Sequence, residues 1–195
     1  MKIKYFTSTV AMGVLLLSAC TKENKDAAKP VDPGAGDQEV VTKVTVHLTN
    51  IADTTQHVMA SWNDPDGEVG SQLPTVQELV LKPGANYRGE LELTDATKNP
   101  AFDITEEIEE EADEHRFHFT FTASTGSGAN MAITILDQDA DGQPLGLNFR
   151  IETSTVTGTG NFNINLRHFG EGTTKSNDPT AGETDLLIDF PVKIQ

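Results

Sequence analysis

Cysteine and basic side chains are scarce in this chain. Cys20 is the single cysteine among 195 residues, so the chain can form no internal disulfide and no zinc site built from several cysteines. Lysine and arginine together number 14, against 30 aspartates and glutamates, which leaves a formal net charge of −16. A surface this acidic repels nucleic acids and anionic lipids and attracts cations, metal ions included. We therefore expect no nucleic-acid partner.

Recognisable catalytic motifs and long apolar runs are absent as well. The sequence holds no G-x-S-x-G elbow, no H-E-x-x-H pair, no P-loop and no dinucleotide fingerprint. Its N-terminal apolar run, residues 10–17, is shorter than the roughly 20 residues that a membrane-spanning helix needs. The sequence therefore favours a protein that is not an enzyme, with a hydrolase built on paired carboxylates as an alternative.

The first twenty residues have the pattern of a bacterial lipoprotein signal. Lys2 and Lys4 supply a basic start, an apolar run follows, and Leu17-Ser18-Ala19-Cys20 matches a lipobox. The pattern predicts that residues 1–19 are removed and that Cys20 carries a lipid, which would also exclude a cysteine nucleophile. The lipid on Cys20 would attach the protein to the outer membrane, on a face that the sequence leaves open.

The mature chain divides into a tether and a domain. Residues 20–39 contain two prolines and few large apolar side chains, which predicts a flexible tether. Residues 40–195 are long enough to form one domain with its own hydrophobic core.

Alternation of apolar and polar residues dominates that domain. Phe117, Phe119 and Phe121 alternate with polar neighbours, as the residues of half-buried strands do. The pattern predicts an all-β fold, an antiparallel β-sandwich of the immunoglobulin-like or Greek-key type with about nine strands and one short acidic helix. Pro191 predicts that the last strand is an edge strand or exposes that position at an edge. The predicted strands cover residues 44–48, 57–62, 76–81, 91–93, 117–121, 131–136, 145–151, 162–166 and 186–194.

Residues 103–115 interrupt the alternation and predict the helix. Asp103 occupies an N-cap position. Ile104, Ile108 and Ala112 recur every four residues and form a narrow apolar stripe. The segment also contains seven acidic side chains in a run of nine, and like charges four residues apart cost about 0.2–0.5 kcal/mol per pair. Local conflicts of this kind are typical of functional sites.

A cation bound to the acidic segment would relieve this repulsion. The candidate ligands are carboxylates on one helical face and histidines near the following strand: Glu107, Glu111, Glu114, His115 and His118. Carboxylates and imidazoles suit a divalent transition metal such as Zn, Fe or Ni better than Ca²⁺. The alternative is a solvated acidic helix, with His115 packed against the sandwich and His118 on an exposed sheet face.

Two other groups of residues are further candidates for a metal site. The first combines a histidine at the end of a predicted strand with two acids before the last strand: His168, Glu183 and Asp185. The second begins like a calcium loop, D-x-D-x-D-G, and comprises Asp137, Asp139 and Asp141. Its twelfth position is Asn148 rather than glutamate, so a hairpin turn is the better interpretation.

Several segments spread over nearly the whole mature domain share a family resemblance. Besides the lipobox they are residues 40–48, Trp62-Asn63-Asp64-Pro65-Asp66-Gly67, residues 104–119 with Glu110-Glu111-Ala112-Asp113-Glu114-His115, Gly146-Leu147-Asn148-Phe149, Leu166-Arg167-His168 and Gly182-Glu183-Thr184-Asp185. In these segments the chain resembles small Gram-negative outer-membrane lipoproteins, often labelled type 1 periplasmic binding fold superfamily proteins. That label implies a two-lobed α/β fold, which the alternating strands contradict. The resemblance also implies a TonB-dependent outer-membrane receptor as partner.

Together these features predict an outer-membrane lipoprotein that binds a ligand as an accessory to a TonB-dependent uptake system. A metal ion or metal complex best matches the candidate ligands. The alternative is a structural or adhesive surface β-sandwich that has no small-molecule ligand.

Overall fold

The computed structural model describes residues 39–67, 70–170 and 172–195. The lipobox, Cys20 and all of the predicted tether except Glu39 lie outside the described residues. Within the described part of the chain, no helix is long and apolar enough to cross a bilayer.

The described residues form a mostly β structure, as the alternation predicts. The elements are β1 (Lys43–Asn50), β2 (His57–Asn63), β3 (Thr75–Val76), β4 (Leu79–Leu81), β5 (Asn86–Asp95), β6 (Phe102–Asp103), α1 (Ile104–Glu110), β7 (His115–Ala123), β8 (Met131–Ile135), β9 (Asn148–Thr153), β10 (Gly158–His168) and β11 (Glu183–Ile194). The strands among these residues number eleven rather than nine, because residues 76–81 divide into β3 and β4 and because β6 precedes the helix.

The strands form two sheets. One has seven strands in the order β3-β2-β1-β5-β9-β8, with β6 paired to β5, and the other has four in the order β4-β11-β10-β7. The named strands pair antiparallel, except that β4 runs parallel to β11. β11 therefore has an edge on one side except over residues 192–194, where β4 pairs with it. Pro191 is tolerated because β4 pairs only with the three residues that follow it, so one side of Pro191 needs no ladder hydrogen bond.

A single hydrophobic core lies between the two sheets. Phe149 of β9 is 0 % exposed, and its ring lies 4.9 Å from that of Phe119 in β7 and 6.0 Å from that of Phe162 in β10. These rings come from opposite sheets, so the sheets pack face to face as in a β-sandwich.

Gly89 of β5 makes room for the central ring of this core. It pairs with Phe149, and a Cβ at position 89 would lie 2.3 Å from a ring carbon of Phe149. We expect Gly89→Ala to destabilise the protein by about 1–3 kcal/mol in urea denaturation, because the ring has to leave its packed position. Combining Gly89→Ala with Phe149→Leu should recover part of the loss. Equal losses in the single and double variants would contradict this explanation.

The helix is shorter than the sequence predicts. Asp103 caps it as expected, accepting hydrogen bonds from the amides of Thr105 and Glu106. The helical turns end at Glu110, with Glu111 as the C-cap, so they stop before most of the unfavourable C-terminal acids. Ile104 and Ile108 are buried, which confirms the first part of the apolar stripe.

Candidate metal centre

Two histidines lie side by side at one end of the four-stranded sheet. His115 is the first residue of β7 and His168 the last of β10, and the antiparallel register places them directly opposite each other. Their rings stack with centroids 4.8 Å apart and an angle of 12° between the planes. Both are buried, with His115 0 % exposed and His168 4 % exposed. Strand register alone therefore builds a buried pair of imidazoles.

A β-bulge brings the carboxylate of Asp185 to the histidine pair. Leu166 pairs with Leu186 but Arg167 pairs with Thr184, so Asp185 is the extra residue on β11. In an unbroken strand Asp185 would face away from the core, since Leu186 and Ile188 face inward. The bulge turns it inward. Its side chain is 0 % exposed, and Oδ2 lies 3.8 Å from His115 Nε2.

Two further carboxylates complete the group, which we call the histidine–carboxylate cluster. Glu39 precedes β1, is buried, and places Oε1 3.6 Å from His115 Nε2. Glu111 follows the helix and lies with Glu39 and His115 in one set of potential ligands. The cluster consists of Glu39, Glu111, His115, His168 and Asp185.

Hydrogen bonds orient both imidazole rings. His115 Nδ1 lies 3.1 Å from the backbone oxygen of Glu111. A carbonyl oxygen only accepts, so this nitrogen carries a proton and Nε2 faces the carboxylates of Glu39 and Asp185. His168 Nε2 lies 3.3 Å from Glu114 Oε2. Each ring thus has one nitrogen held by an oxygen that is not among the potential ligand atoms, the Glu111 carbonyl for His115 and the Glu114 carboxylate for His168, as metal-binding histidines generally do.

The interior of the cluster contains buried polar atoms without hydrogen bonds. Among the described residues, His115 Nε2 and both carboxylate oxygens of Asp185 make no hydrogen bond. His115 Nε2 lies only at ion-pair distance from the carboxylates of Glu39 and Asp185. Burial raises the pKa of Asp185 from 3.8 to about 6, although the nearby imidazoles oppose the shift. Burial lowers the pKa of His115, but the nearby carboxylate of Glu39, the hydrogen bond to the Glu111 backbone oxygen and the charge of Asp185 outweigh it and raise that pKa overall. Both groups therefore hold protons more tightly than in water.

The spacing of the ligand atoms fits a small metal ion. His115, His168 and Asp185 each offer one ligand atom, and these atoms lie within 4.8 Å of one another, as do those of Glu39, Glu111 and His115. In a tetrahedral zinc site, bonds of about 2.0–2.2 Å separate neighbouring ligand atoms by about 3.3–3.5 Å. The distances of 3.6 Å and 3.8 Å from His115 Nε2 to its carboxylates are close to this value.

The structure brings together candidates that the sequence assigned to separate groups. His115 and Glu111 come from the acidic segment, while His168 and Asp185 come from the distant group. Glu114 is the hydrogen-bond partner of His168. Glu183 pairs with His168 along the ladder but is exposed.

Two residues of the predicted acidic site lie elsewhere. His118 is an odd number of residues from His115 on the same strand, so it projects from the opposite sheet face, where burial, Arg116 and Arg167 lower its pKa. Glu107 is buried on the helix, and the two sets of potential ligand atoms do not include it.

The aspartates of the calcium-like loop make the contacts of a turn. Asp137 accepts hydrogen bonds from the amides of Gly146 and Asn148. Asp139 accepts from the amides of Asp141 and Gln143, and its Oδ2 lies 2.7 Å from Lys175 Nζ. These oxygens are directed at protein donors, which favours the hairpin-turn interpretation.

Glu39 is the member of the cluster that the sequence did not suggest. It belongs to a stretch whose composition predicts a solvated tether, and no periodicity marks it. Its position directly before Val40 and Val41, where apolar residues begin, is the one available signal.

Two cavities border members of the cluster, and another borders the acidic segment. One of about 300 Å³ is lined by His168, and one of about 340 Å³ by Asp185. The third, of about 250 Å³, lies beyond the helix and is lined by Asp113, Glu114 and Asp141. A cleft therefore exists near the acidic segment, as the hydrolase alternative requires.

Comparisons with models of protein families, with curated proteins and with solved structures found no match to this chain. Any function assigned to the histidine–carboxylate cluster therefore depends on its geometry.

Proposed function

We propose that the protein binds a divalent transition metal at the histidine–carboxylate cluster, with His115, His168, Asp185 and Glu39 as ligands. The observation that carries this proposal is a set of buried atoms in the cluster that make no hydrogen bond, His115 Nε2 and both oxygens of Asp185. A metal ion would satisfy all three atoms at once.

A purely structural histidine pair explains these atoms poorly. A buried polar group without a hydrogen bond costs about 1–3 kcal/mol, and more if it is charged. Most buried polar groups in proteins are therefore paired, and each exception calls for a reason such as a bound ion. Here three such atoms lie together, one an imidazole nitrogen and two carboxylate oxygens, which are common ligand atoms for zinc.

The donor set suits Zn, Fe or Ni. Imidazole nitrogens and carboxylate oxygens bind these metals, whereas Ca²⁺ takes oxygen ligands alone. The Glu111 carbonyl and the Glu114 carboxylate hold the other nitrogens of His115 and His168, so the rings are already oriented for binding.

The cellular setting belongs to the same proposal. The lipobox ending at Cys20 supports attachment to the outer membrane, and the family resemblance supports a TonB-dependent receptor as partner. The protein would then capture a metal ion or metal complex, without catalysis, for uptake by that receptor. Its net charge of −16 favours the approach of cations. The immunoglobulin-like or Greek-key connectivity stays a prediction, on which metal binding does not depend.

Calorimetric titration of the purified protein with Zn²⁺ tests the proposal, in a Cys20→Ser background that removes the thiol as a zinc ligand. We expect a dissociation constant below about 100 μM. Weak extracellular cation sites have dissociation constants of about 100 μM or more. Asp185→Asn should weaken zinc binding at least about 100-fold, because a neutral amide replaces a charged ligand. Loss of a residue that only hydrogen-bonds to a metal ligand typically weakens binding by about 10–100-fold. Asp185→Asn should also stabilise the metal-free fold, so loss of binding cannot be ascribed to unfolding.

A matched control uses the exposed pair His47 and Glu92, whose Nε2 and Oε2 atoms are 3.0 Å apart. His47→Gln should leave zinc binding unchanged, whereas His115→Gln should abolish it. Zinc binding that persists in Asp185→Asn and His115→Gln would overturn the assignment of the site. Absence of any zinc heat would overturn the metal proposal and favour the structural or adhesive module.

A further inference from the structure

A cavity of about 340 Å³ lies beside the cluster, between the end of β2 and the start of β11. Its apolar walls include Val41, Trp62 and Ile188, and its polar lining includes Asp64 and Asp185. Trp62 pairs with Val44 across β1 and β2, so its half-buried indole lies on the core side of the sheet. The volume is within the range of cavities that hold small ligands.

The charge of this cavity is of one sign. Of the described residues that line it, two are aspartates and none is basic. Asp64 is 6 % exposed, and its Oδ1 is buried without a hydrogen-bond partner. Its backbone is held in place because its amide donates to the Thr42 carbonyl and its carbonyl accepts from Gly67. The backbone of Asp64 is therefore held by the fold, and one oxygen of its carboxyl group makes no hydrogen bond.

The surroundings of Asp64 favour a positive ligand. Burial, the charge of Asp66 and a hydrogen bond between the two side chains raise the pKa of Asp64, while the backbone amide of Asp66 opposes the shift. Oδ1 of Asp66 is likewise buried and without a partner among the described residues. A cation in the cavity would offset this repulsion and supply a hydrogen-bond donor to Asp64.

We infer that the cavity binds a small organic ammonium ion, a protonated primary amine on a short apolar stem. The ammonium group would donate to Asp64, while the stem packs against Val41 and Ile188. The indole of Trp62 adds a cation–π contact, since tryptophan is the best aromatic partner for a cation. A bare metal ion fits less well, because apolar walls supply too few ligand atoms. This inference goes beyond metal binding and does not depend on it.

The single tryptophan of the chain makes the cavity directly observable. In EDTA-treated full-length protein, we expect 2-phenylethylamine to change the emission of Trp62 and to bind at least about 10-fold more tightly than 2-phenylethanol. The alcohol has nearly the same size and shape but lacks the charge. Measuring without metal separates this result from the outcome of the zinc titration.

Substitutions test whether Asp64 is the residue that binds the ammonium group. Asp64→Asn should weaken 2-phenylethylamine binding at least about 10-fold and leave 2-phenylethanol binding unchanged. Asp189→Asn, at an exposed position of β11, removes the same net charge and should change neither. Equal binding of amine and alcohol by the wild-type protein, or no binding of either, would overturn the inference even if Asp64→Asn fails to fold. Amine preference that survives in a folded Asp64→Asn variant would also overturn it.

Discussion

Replacement of Lys175 by methionine is expected to destabilise the protein by about 3–5 kcal/mol, the usual cost of breaking a buried ion pair. The ammonium group of Lys175 is almost completely buried and lies 2.7 Å from Asp139 Oδ2. It also donates to the backbone oxygens of Ala112, His115 and Pro144, at 2.7, 3.1 and 3.2 Å. One side chain thus joins three separate segments of the chain.

Methionine keeps most of the length of lysine but donates no hydrogen bond. The variant would leave Asp139 buried and charged, with three carbonyls deprived of a donor. The pKa of Asp139 reflects this dependence. Burial raises it, but the hydrogen bond to Lys175 and the backbone amides outweigh burial and hold it below 3.8. The loss would be measured as the free energy of unfolding in urea.

Two further variants sharpen this experiment. Lys175→Met combined with Asp139→Asn should be more stable than Lys175→Met alone, because no unpaired charge stays buried. Lys193→Met, at an exposed position of β11, should change stability by less than about 0.5 kcal/mol. A loss below about 1 kcal/mol for Lys175→Met would show that these contacts are weak. Since Lys175 binds the carbonyl of His115, its loss should also weaken zinc binding.

Asp185→Asn is expected to stabilise the metal-free protein at pH 7.5 by up to about 3 kcal/mol. The pKa of Asp185 rises from 3.8 to about 6 on folding, and each pKa unit corresponds to 1.36 kcal/mol. Folded protein therefore binds the proton more tightly than unfolded protein. Stability falls as the pH rises from about 4 to about 6, and the full cost is present above that range. Asparagine carries no charge and escapes this cost.

The pH dependence separates the titration of Asp185 from other effects. Urea denaturation in EDTA should show a stability difference between Asp185→Asn and the wild-type protein that is largest above pH 6 and small near pH 4. The raised pKa of His115 acts in the same direction, because its stabilisation is lost as the pH rises through its folded pKa. A difference that does not change between pH 4 and pH 7.5 would contradict the buried, charged Asp185.

Local sequence patterns determined the fold class, the start of the helix and the position of His168 in its strand. A period of two follows from strand geometry, so alternation around the phenylalanines of β7 predicts strands that bury one face. The cap at Asp103 depends only on neighbouring residues and is confirmed. His168 shares the parity of Phe162, Ile164 and Leu166 in its strand, which predicts a position at the rim of the core.

Only the tertiary structure decided which polar residues meet. The stacking of His115 on His168 depends on the register between β7 and β10, and the inward turn of Asp185 depends on a bulge against β10. Both are set by pairing between segments far apart in sequence, so no local period reveals them. Glu39 enters the cluster from a stretch whose composition predicts a solvated tether, because the chain packs against the sandwich before β1 begins. Composition and the period of apolar residues predict only the local structure of a segment. The site is formed by contacts between segments that are far apart in the sequence.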